Sequence, residues 1–371
     1  MSLKFHIVHT EASCGWGGQE IRILTEAYGM LKRGHNVTII ACPDSPILNK
    51  AIELDIPTIT FQFKKNSLIN ALRLRKVIKS ISPSIINTHS STDSWISAIA
   101  RLFLNIPIIR TRHISAKVSD SFFTRWLYLK GSDMVVTTGQ KLCDDLVTTL
   151  NAPTDHIISI PTGIDLFKFS KCNSITTTES RDLFNIPRNS IVIGIASTLR
   201  TWKGHRYLIE AFNKLAKNYA NLHLLIVGEG PIQDLIFNQS QQSAFKNRIH
   251  MPGQQEYVEN ALAAMDIFAL PSYANEGVPQ AILQAMAMTM PVVSTNIGAI
   301  EEAVLHDQTG LIVNPKDSNS LFVALNTLID NDEKRLHFGN RGRNHVEKHF
   351  SIDIMLDRME SIFSLNISKK Y

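Results

Sequence analysis

The feature that most constrains this chain is a regular alternation of short apolar runs with longer segments of helical periodicity. In the first half, runs of strand length occur at residues 3–9, 37–42, 58–61, 84–87, 106–111, 134–138 and 157–160. Between the first two runs, Ile21, Leu24, Tyr28 and Leu31 recur at helical spacing, and Gly34 is placed to end that helix. A strand–helix–strand rhythm predicts an α/β fold, with a doubly wound parallel sheet covered by helices.

The same rhythm begins again in the second half. Residues 161–165 interrupt the alternation and a polar stretch follows at 170–179; further runs lie at 191–196, 222–227, 248–251, 266–270, 291–295 and 311–313. A chain of 371 residues also exceeds what one hydrophobic core usually serves. We therefore predict two Rossmann-like domains, residues 1–168 and 169–349, followed by an amphipathic helix within 350–371.

Composition indicates a globular protein and excludes several classes. With 44% hydrophobic and 19% charged residues, the chain is not of the disordered type. The net charge of +5 suits anionic substrates or an anionic membrane surface and is too small to indicate nucleic-acid binding. No apolar run reaches membrane-spanning length, and residues 2–10 are typical of a strand, not of a signal peptide. Cysteines without Cys-x-x-Cys spacing argue against zinc and redox motifs and favour a reduced, cytoplasmic compartment; they are Cys14, Cys42, Cys143 and Cys172.

The most informative stretch is residues 270–291, which is predicted to be strand, turn and helix. A buried strand ends at Leu270, the turn contains Glu276, and Pro279 is expected in the first turn of a helix that continues over 280–288. This places an acid at the carboxyl end of a parallel strand beside a helix N-terminus, where open α/β sheets bind ligands. Gln284 follows Glu276 by just over two helical turns, so both side chains can face one ligand.

These residues resemble a known signature. Glu276-Gly277-Val278-Pro279, followed by Gln284-Ala285-Met286, is similar to the donor-sugar motif of the retaining GT-B glycosyltransferases of family 4, which reads Glu-Gly-x-Pro, four residues, Glu-Ala-Met. The resemblance implies two domains facing a cleft, a C-terminal helix that returns to the first domain, and a nucleotide-diphosphate sugar as donor. It assigns Glu276 to the sugar hydroxyls and Gln284, here an amide in place of an acid, to the ribose. An ordinary strand–turn–helix of another α/β enzyme is the alternative.

Three further segments of the second domain fit this resemblance. Arg200 and Lys203 follow a predicted strand, and both cations suit a diphosphate leaving group. Thr198 stands where the family usually has the arginine, so Lys203 is the better-supported residue of the two. Two solvated surface cations are the alternative interpretation. Gly228 lies in a turn and Gly253 in a segment that, by resemblance, contact the nucleotide mostly through the backbone.

The first domain supplies two candidate elements. Gly17 and Gly18 follow the first strand and precede a helix, so the backbone there can approach a ligand, although a plain tight turn has the same pattern. Glu20 is explained by helix capping alone. His89 and His113 each end a predicted strand. His113 resembles the family's histidine that contacts the transferred sugar; His89 is the weaker candidate, since a lone histidine is more often structural.

The resemblance implies front-face transfer with retention, in which stabilisation of the leaving group and positioning carry the catalysis. No cofactor and no obligatory metal are expected. The acceptor is expected to be a saccharide or a lipid-linked saccharide, in bacterial lipopolysaccharide, capsule or exopolysaccharide synthesis. Two alternatives remain, a GT-B enzyme of another reaction type (a phosphorylase or an inverting transferase) and a non-catalytic scaffold subunit.

Membrane contact is left open by the sequence. Residues 64–79 and 122–130 mix cations with apolar side chains. Such segments are typical of helices on the inner face of an anionic membrane. They are equally typical of helices that pack an apolar side on a sheet and expose lysine and arginine to water.

Overall fold

The computed structural model describes residues 4–64, 68–114, 116–171 and 175–370. It divides into two compact units, one formed by residues 1–163 with 352–371 and the other by residues 164–351. Each unit is a parallel sheet covered by helices.

The first unit contains a seven-stranded sheet in the order β3-β2-β1-β4-β5-β6-β7, with every pair parallel. The strands are β1 (His6–Glu11), β2 (Asn36–Ala41), β3 (Thr58–Thr60), β4 (Ile85–Thr88), β5 (Ile108–Arg112), β6 (Met134–Thr137) and β7 (Ile157–Ser159). The helices between them are α1 (Gly18–Lys32), α2 (Pro46–Glu53), α3 (Leu68–Ile81), α4 (Ser91–Ala100), α5 (Phe122–Leu129) and α6 (Gln140–Leu150).

The second unit contains a six-stranded parallel sheet in the order β10-β9-β8-β11-β12-β13. Its strands are β8 (Ile191–Ala196), β9 (Leu222–Val227), β10 (Ile249–Gly253), β11 (Ile267–Leu270), β12 (Val292–Thr295) and β13 (Gly310–Val313). Its helices are α7 (Thr177–Leu183), α8 (His205–Leu215), α9 (Gln233–Gln241), α10 (Val258–Ala263), α11 (Gln280–Ala287), α12 (Ile300–Ala303), α13 (Ser318–Ile329) and α14 (Asp332–His349).

All thirteen strands coincide with apolar runs that the sequence singles out, so the doubly wound α/β prediction is confirmed. These strands are buried on both faces by helices and therefore appear in the sequence as continuous apolar runs. Among the described residues, no helix is both long enough and apolar enough to cross a membrane.

Successive side chains of β1 point to opposite faces of the sheet and therefore join different cores. Ile7 packs in one core with Ile23 of α1, whereas Val8 packs in another with Leu74 of α3. Since successive side chains of a strand point to opposite faces, His9 lies on the α1 side of the sheet. Polar side chains near the carboxyl end of β1 therefore lie on different faces of the sheet.

The last helix, α15 (Ile352–Ser368), belongs to the first unit, as expected for a C-terminal helix that returns to the first domain. Its buried side chains, among them Leu356 and Phe363, share a core with Ile23 of α1. At Gly29 an added Cβ would stand 2.4 Å from a methyl carbon of Leu356, so α1 and α15 pack in close contact at this glycine.

The division between the units lies after Gly163, earlier than the boundary predicted at residue 168. Ile164 donates its backbone N–H to Phe350 and forms a bridge with Ser351, and Arg343 donates to the carbonyl of Phe169. These bonds hold the segment after Gly163 to the second unit. On the other side, α15 begins at Ile352, two residues after the start predicted for the last segment.

Candidate functional site

In the second unit, the candidate residues gather where the strand order reverses, between β8 and β11. Connections leave these two strands in opposite directions, so a crevice forms outside their carboxyl ends, which is where open α/β sheets bind ligands. The loop after β8 carries Lys203 and the loop after β11 carries Glu276. A backbone bond from Tyr273 N–H to the Trp202 carbonyl (2.8 Å) joins the two loops.

Lys203 and Glu276 form an ion pair at this point, with 2.7 Å between Nζ and Oε1. Glu276 is only 4% exposed. Ser272 Oγ donates to the same carboxylate oxygen at 2.6 Å, and the Ser272 carbonyl in turn accepts a bond from Thr295 Oγ1 at 2.5 Å. The pair is therefore held rigidly by neighbouring loops. Ser272 was missed in the sequence; its only signal was its place two residues after the strand, before the signature glutamate.

Two glycines let the backbone close around this pair. A Cβ added to Gly298, whose φ is +60°, would lie 1.9 Å from the Glu276 carbonyl oxygen. A Cβ on Gly204, with φ +78°, would lie 2.0 Å from the carbonyl oxygen of Pro271. Since real Cβ atoms do not approach an oxygen so closely, both positions require glycine for this packing, in addition to the left-handed backbone.

The loops after β8 and β9 and the end of β10 form a second group, joined by backbone hydrogen bonds. Gly228 donates its N–H to the carbonyl of Gly253 at 3.0 Å, and Ser197 donates to Val227 at 3.0 Å. Gly228 has φ +130°, and a Cβ there would lie 2.1 Å from the Ser197 carbonyl oxygen. The structure thus brings together Gly228 and Gly253, which the sequence predicted only in separate segments, and it places Gly253 at the end of β10.

The remaining candidates of this unit are more dispersed. Arg200 is exposed, with its guanidinium 5.1 Å from the centre of the Trp202 ring; the hydrogen bonds to Glu276 come instead from Lys203 and Ser272. Gln284 is half-buried on α11. Gly277, Val278 and Pro279 are buried.

Pro279 lies outside the first helical turn, contrary to the prediction. It is the N-cap residue of α11, which begins at Gln280, and its φ is −70° and its ψ +124°. An extended ψ is incompatible with helix, so the helix starts one residue later than expected. The helix also ends at Ala287 instead of residue 288.

In the first unit, a buried carboxyl group supports the glycine loop. Glu11, at the end of β1, accepts a hydrogen bond from the Ser13 N–H at 2.6 Å and another from the Gln19 side chain. Burial, and then the nearby Asp93 carboxylate, raise the pKa of Glu11 to about 8. Gly17 is the N-cap of α1 and Gly18, its first residue, is exposed, so this helix N-terminus is open to solvent.

The two predicted histidines of this unit lie in one chain with a third. His113 Nε2 lies 3.0 Å from His89 Nδ1, and His89 Nε2 lies 3.0 Å from His9 Nδ1. His9 was missed because it stands inside the β1 run, where a histidine in an apolar pattern looks like a core residue. Beside the chain, a fully buried Arg22 pairs with Glu26 at 3.7 Å.

An Asp-x-Asp tripeptide occurs away from these sites, at Asp330-Asn331-Asp332. Asp330 accepts hydrogen bonds from Tyr219 and Asn326, and the Asn331 side chain caps α14. These contacts account for the tripeptide as a turn between helices. In the described parts of the chain, no three His, Cys, Asp or Glu side chains are grouped so as to hold a metal ion.

Comparison with family models matches both halves of the chain. Residues 16–167 match the model described as Glycosyltransferase Family 4, and residues 176–345 match the model described as Glycosyl transferases group 1. The two matches together span most of the sequence and divide it near the boundary between the two units.

Individual relatives match over most of the chain. A D-inositol 3-phosphate glycosyltransferase of Corynebacterium glutamicum is 25% identical, over 93% of this chain and 87% of the relative. A UDP-Gal:alpha-D-GlcNAc-diphosphoundecaprenol alpha-1,3-galactosyltransferase of Escherichia coli is 26% identical, over 79% and 78%. The structure of HepE from Anabaena in complex with UDP-glucose superposes with a TM-score of 0.86 at 19% identity, covering 97% of this chain and 99% of HepE, which shows the same fold.

Proposed function

Since the chain belongs to the group 1 glycosyltransferases of family 4, with the GT-B fold, we propose that it is a retaining, metal-independent enzyme of this class. It transfers a sugar from a nucleoside-diphosphate donor to a saccharide or lipid-linked saccharide, in bacterial lipopolysaccharide, capsule or exopolysaccharide synthesis. It uses no further cofactor.

The observation that carries this proposal is the Lys203–Glu276 pair at the strand-order reversal. Lys203 has three N–H donors, so one bond to Glu276 leaves capacity for a phosphate oxygen. Charge that develops on the departing diphosphate is then stabilised by a cation that is already in place. Glu276 is fixed by Ser272 to hold hydroxyls of the transferred sugar and to face positive charge at the anomeric carbon.

Retention by this route needs no covalent intermediate on the protein. A leaving phosphate oxygen can help to deprotonate the acceptor hydroxyl on the same face of the sugar, so positioning and electrostatics supply the rate enhancement. The family assigns no agreed carboxylate nucleophile. Gln284 has both donor and acceptor atoms for the ribose hydroxyls, and ribose binding lies away from the bonds that change.

Two comparisons guide the choice of donor and acceptor for testing. HepE was solved with UDP-glucose, and the Escherichia coli relative is named for UDP-galactose and a diphosphoundecaprenol acceptor. We infer that UDP-hexoses are the first donors to test and polyprenol-linked saccharides the first acceptors.

The test measures hydrolysis of a panel of nucleotide sugars, without acceptor, by wild type, by Glu276→Ala and by Glu333→Ala. Glu333 is an exposed glutamate on α14 and serves as the matched control. We expect slow release of one nucleoside diphosphate, unaffected by EDTA, lost in Glu276→Ala and kept in Glu333→Ala. The first sugar anomer released reports the stereochemistry by proton NMR.

Other outcomes would favour the alternatives. An inverted anomer indicates an inverting transferase, and turnover only with orthophosphate indicates a phosphorylase. Release that persists in Glu276→Ala contradicts the assigned role of that residue. If no nucleotide sugar is hydrolysed and no nucleotide raises the melting temperature, the result favours a non-catalytic subunit.

We further infer that the first unit attaches to an anionic membrane through the outer side of α3. Leu68, Ile69 and Leu72 are 64%, 63% and 55% exposed, beside the exposed cations Arg73 and Lys76. Apolar side chains that enter the lipid boundary, flanked by cations that meet lipid phosphates, are what interfacial helices present. Lys65, within the predicted segment 64–79, lies outside the described residues.

An adjoining loop strengthens this inference. Phe103 is 99% exposed and has φ +63°, an unfavourable backbone conformation for a bulky side chain. Arg75 of α3 binds the carbonyls of Ala100 and Leu102, which fixes the loop beside the helix. Neither the exposure nor the backbone of Phe103 stabilises the fold, and an exposed aromatic ring beside α3 suits insertion at the lipid boundary. Phe122 and Phe123, in the second predicted segment, are also exposed, at 77% and 69%.

Co-sedimentation with vesicles tests the membrane inference. Wild type should bind vesicles that contain phosphatidylglycerol and not neutral phosphatidylcholine vesicles. Phe103→Ser combined with Leu72→Ser should reduce binding about tenfold or more, because each buried methylene contributes about 0.8 kcal/mol. The control is Phe237→Ser, which changes an exposed phenylalanine of the second unit. Equal binding by the double variant and the control would contradict the inference.

A further inference from the structure

The three histidines of the first unit form a chain that the transfer reaction does not by itself explain. They lie on three adjacent strands, His9 within β1 and the others directly after β4 and β5. Both contacts between rings are 3.0 Å, from His9 Nδ1 to His89 Nε2 and from His89 Nδ1 to His113 Nε2. His9 is fully buried and His89 is 5% exposed, whereas His113 is half-buried.

The rings are neutral at physiological pH. Burial lowers the pKa of His9 to about 3 and the pKa of His89 and His113 well below the ordinary value. The charge of Arg22 acts in the same direction on all three, and Arg112 adds to it at His113. Each ring therefore carries one N–H and one bare nitrogen.

Counting protons leaves only two arrangements. Each contact needs one proton, and His89 has a single proton to share between its two contacts. If His89 carries it on Nδ1, then His9 must donate from Nδ1 and His113 must keep its own proton on Nδ1. If His89 carries it on Nε2, all three protons lie on Nε2. The tautomer of His113 is thus coupled to that of His9.

The buried end of the chain selects between these arrangements. His9 Nε2 is buried and has no hydrogen-bond partner among the described residues. The second arrangement would place an unpaired N–H there, near the positive charge of Arg22. The first leaves only a lone pair at that end and puts the outer N–H on His113, where water or a ligand can accept it. Buried N–H groups without an acceptor are rare in folded proteins, so the first arrangement is favoured.

We propose that His9 and His89 are positioning residues that hold His113 in the Nδ1–H tautomer, so that His113 donates a hydrogen bond to an oxygen of the bound sugar and does not act as a base. The role of His113 toward a sugar rests on the proposed function; the tautomer does not. Because the inner end of the chain is a buried nitrogen that has no partner among the described residues, these residues offer no onward path for a proton. It fixes a tautomer and is not a proton wire.

The experiment is NMR of the full-length protein labelled with ring-¹⁵N histidine, with the signals of His113 assigned by their loss in His113→Asn. We expect a protonated Nδ1 and a bare Nε2 at His113 from pH 6 to 8. In His9→Leu, which removes the inner partner, both nitrogens should shift toward values for mixed tautomers. His9→Asn keeps an amide that can donate to His89 and should restore the wild-type signals.

Kinetics give a second measurement. His9→Leu should lower kcat about tenfold with the donor KM within twofold, and His9→Asn should recover most of kcat. An Nε2–H signal at His113 in wild type, or unchanged His113 signals in a folded His9→Leu protein, would overturn the proposal. The NMR measurement needs no substrate, so it decides the tautomer of His113 even if the proposed transferase function is wrong.

Discussion

The two sheets have the same doubly wound topology, yet the groups at their carboxyl ends differ in kind. The first unit presents neutral, buried side chains: the His9–His89–His113 chain, and Glu11 with its raised pKa. The second presents an ion pair, Lys203–Glu276, enclosed by backbone that packs against glycine. One fold thus supports a site built from side-chain hydrogen bonds and another built from backbone packing and charge.

The difference has a physical consequence. A site that depends on backbone contact tolerates no added side chain, whereas a site of buried neutral groups responds to pH and to the choice of side chain. Four predictions test this contrast, in order of decreasing effect.

The first compares glycines at the two edges. Gly298→Ala should lower the free energy of unfolding by about 3 kcal/mol, because its Cβ would stand 1.9 Å from the Glu276 carbonyl oxygen on a backbone with φ +60°. Gly17→Ala should lower it by no more than about 1 kcal/mol, since its φ is −179° and the nearest atom is 3.8 Å away. Urea unfolding measures both, and equal losses would remove the distinction between the units.

The second removes charge from the pair and keeps its hydrogen bonds. Glu276→Gln should reduce kcat/KM for nucleotide-sugar hydrolysis by about 100-fold. The amide can still accept hydrogen bonds from Ser272 and Lys203, but it has no negative charge to stabilise the positive charge that develops at the anomeric carbon. The melting temperature should change little. An exposed-site control, Glu333→Gln, should leave the rate unchanged; a similar loss there would show that the effect is not local.

The third concerns pH and the first unit. The folded pKa of Glu11, about 8, lies above its ordinary value of 4.5, so the folded state holds an extra proton between these values. Stability from this group is therefore full below pH 4.5 and is lost as pH rises toward 8. Glu11→Gln should remove this loss of stability with rising pH. Between pH 5 and 8 the free energy of unfolding of the variant should exceed that of wild type by on the order of 1–3 kcal/mol.

Chemical denaturation at several pH values measures this. Glu333→Gln is again the control and should follow the wild-type curve. Parallel curves for wild type and Glu11→Gln would show that Glu11 is not protonated in the folded protein.

His9 has the opposite pH dependence. Its pKa in the folded protein is about 3, below the ordinary value of 6.5, so its contribution to stability is present above pH 6.5 and is lost as pH falls toward 3.

The smallest effect is expected at Thr289, a β-branched residue with a left-handed backbone. Thr289 has φ +55° just after α11, and its N–H and that of Met290 bond back to Met286 and Ala285. This is the helix-ending arrangement that favours glycine. Thr289→Gly should raise the melting midpoint by the equivalent of about 1 kcal/mol without changing activity, and Thr289→Asn should gain less. A loss of stability would contradict this explanation.

Much of the fold and part of the candidate site could be predicted from local sequence. Strand positions followed from apolar runs because a parallel strand is buried on both faces. Glu276 and Lys203 were found because the ends of parallel strands place loop residues at one edge, and because the signature around Glu276 resembles a known family. The role of each residue in catalysis remains a prediction for the kinetic tests.

Other features could not be predicted. Nothing local marks His9 as a partner of His89, eighty residues away, or Ser272 as the group that fixes Glu276. The start of the second unit depends on the bond that Ile164 donates to Phe350 and the bond that Phe169 accepts from Arg343, which no local pattern shows.

The class of fold, the positions of the strands and the family follow from the sequence alone, since they depend on periodicity and on residue types at fixed offsets. The folded structure is needed to know which side chains meet, where the units divide and which carbonyl oxygens lie against Gly298, Gly204 and Gly228. The reason is that burial, hydrogen bonding and close packing are properties of residues brought together from distant parts of the chain.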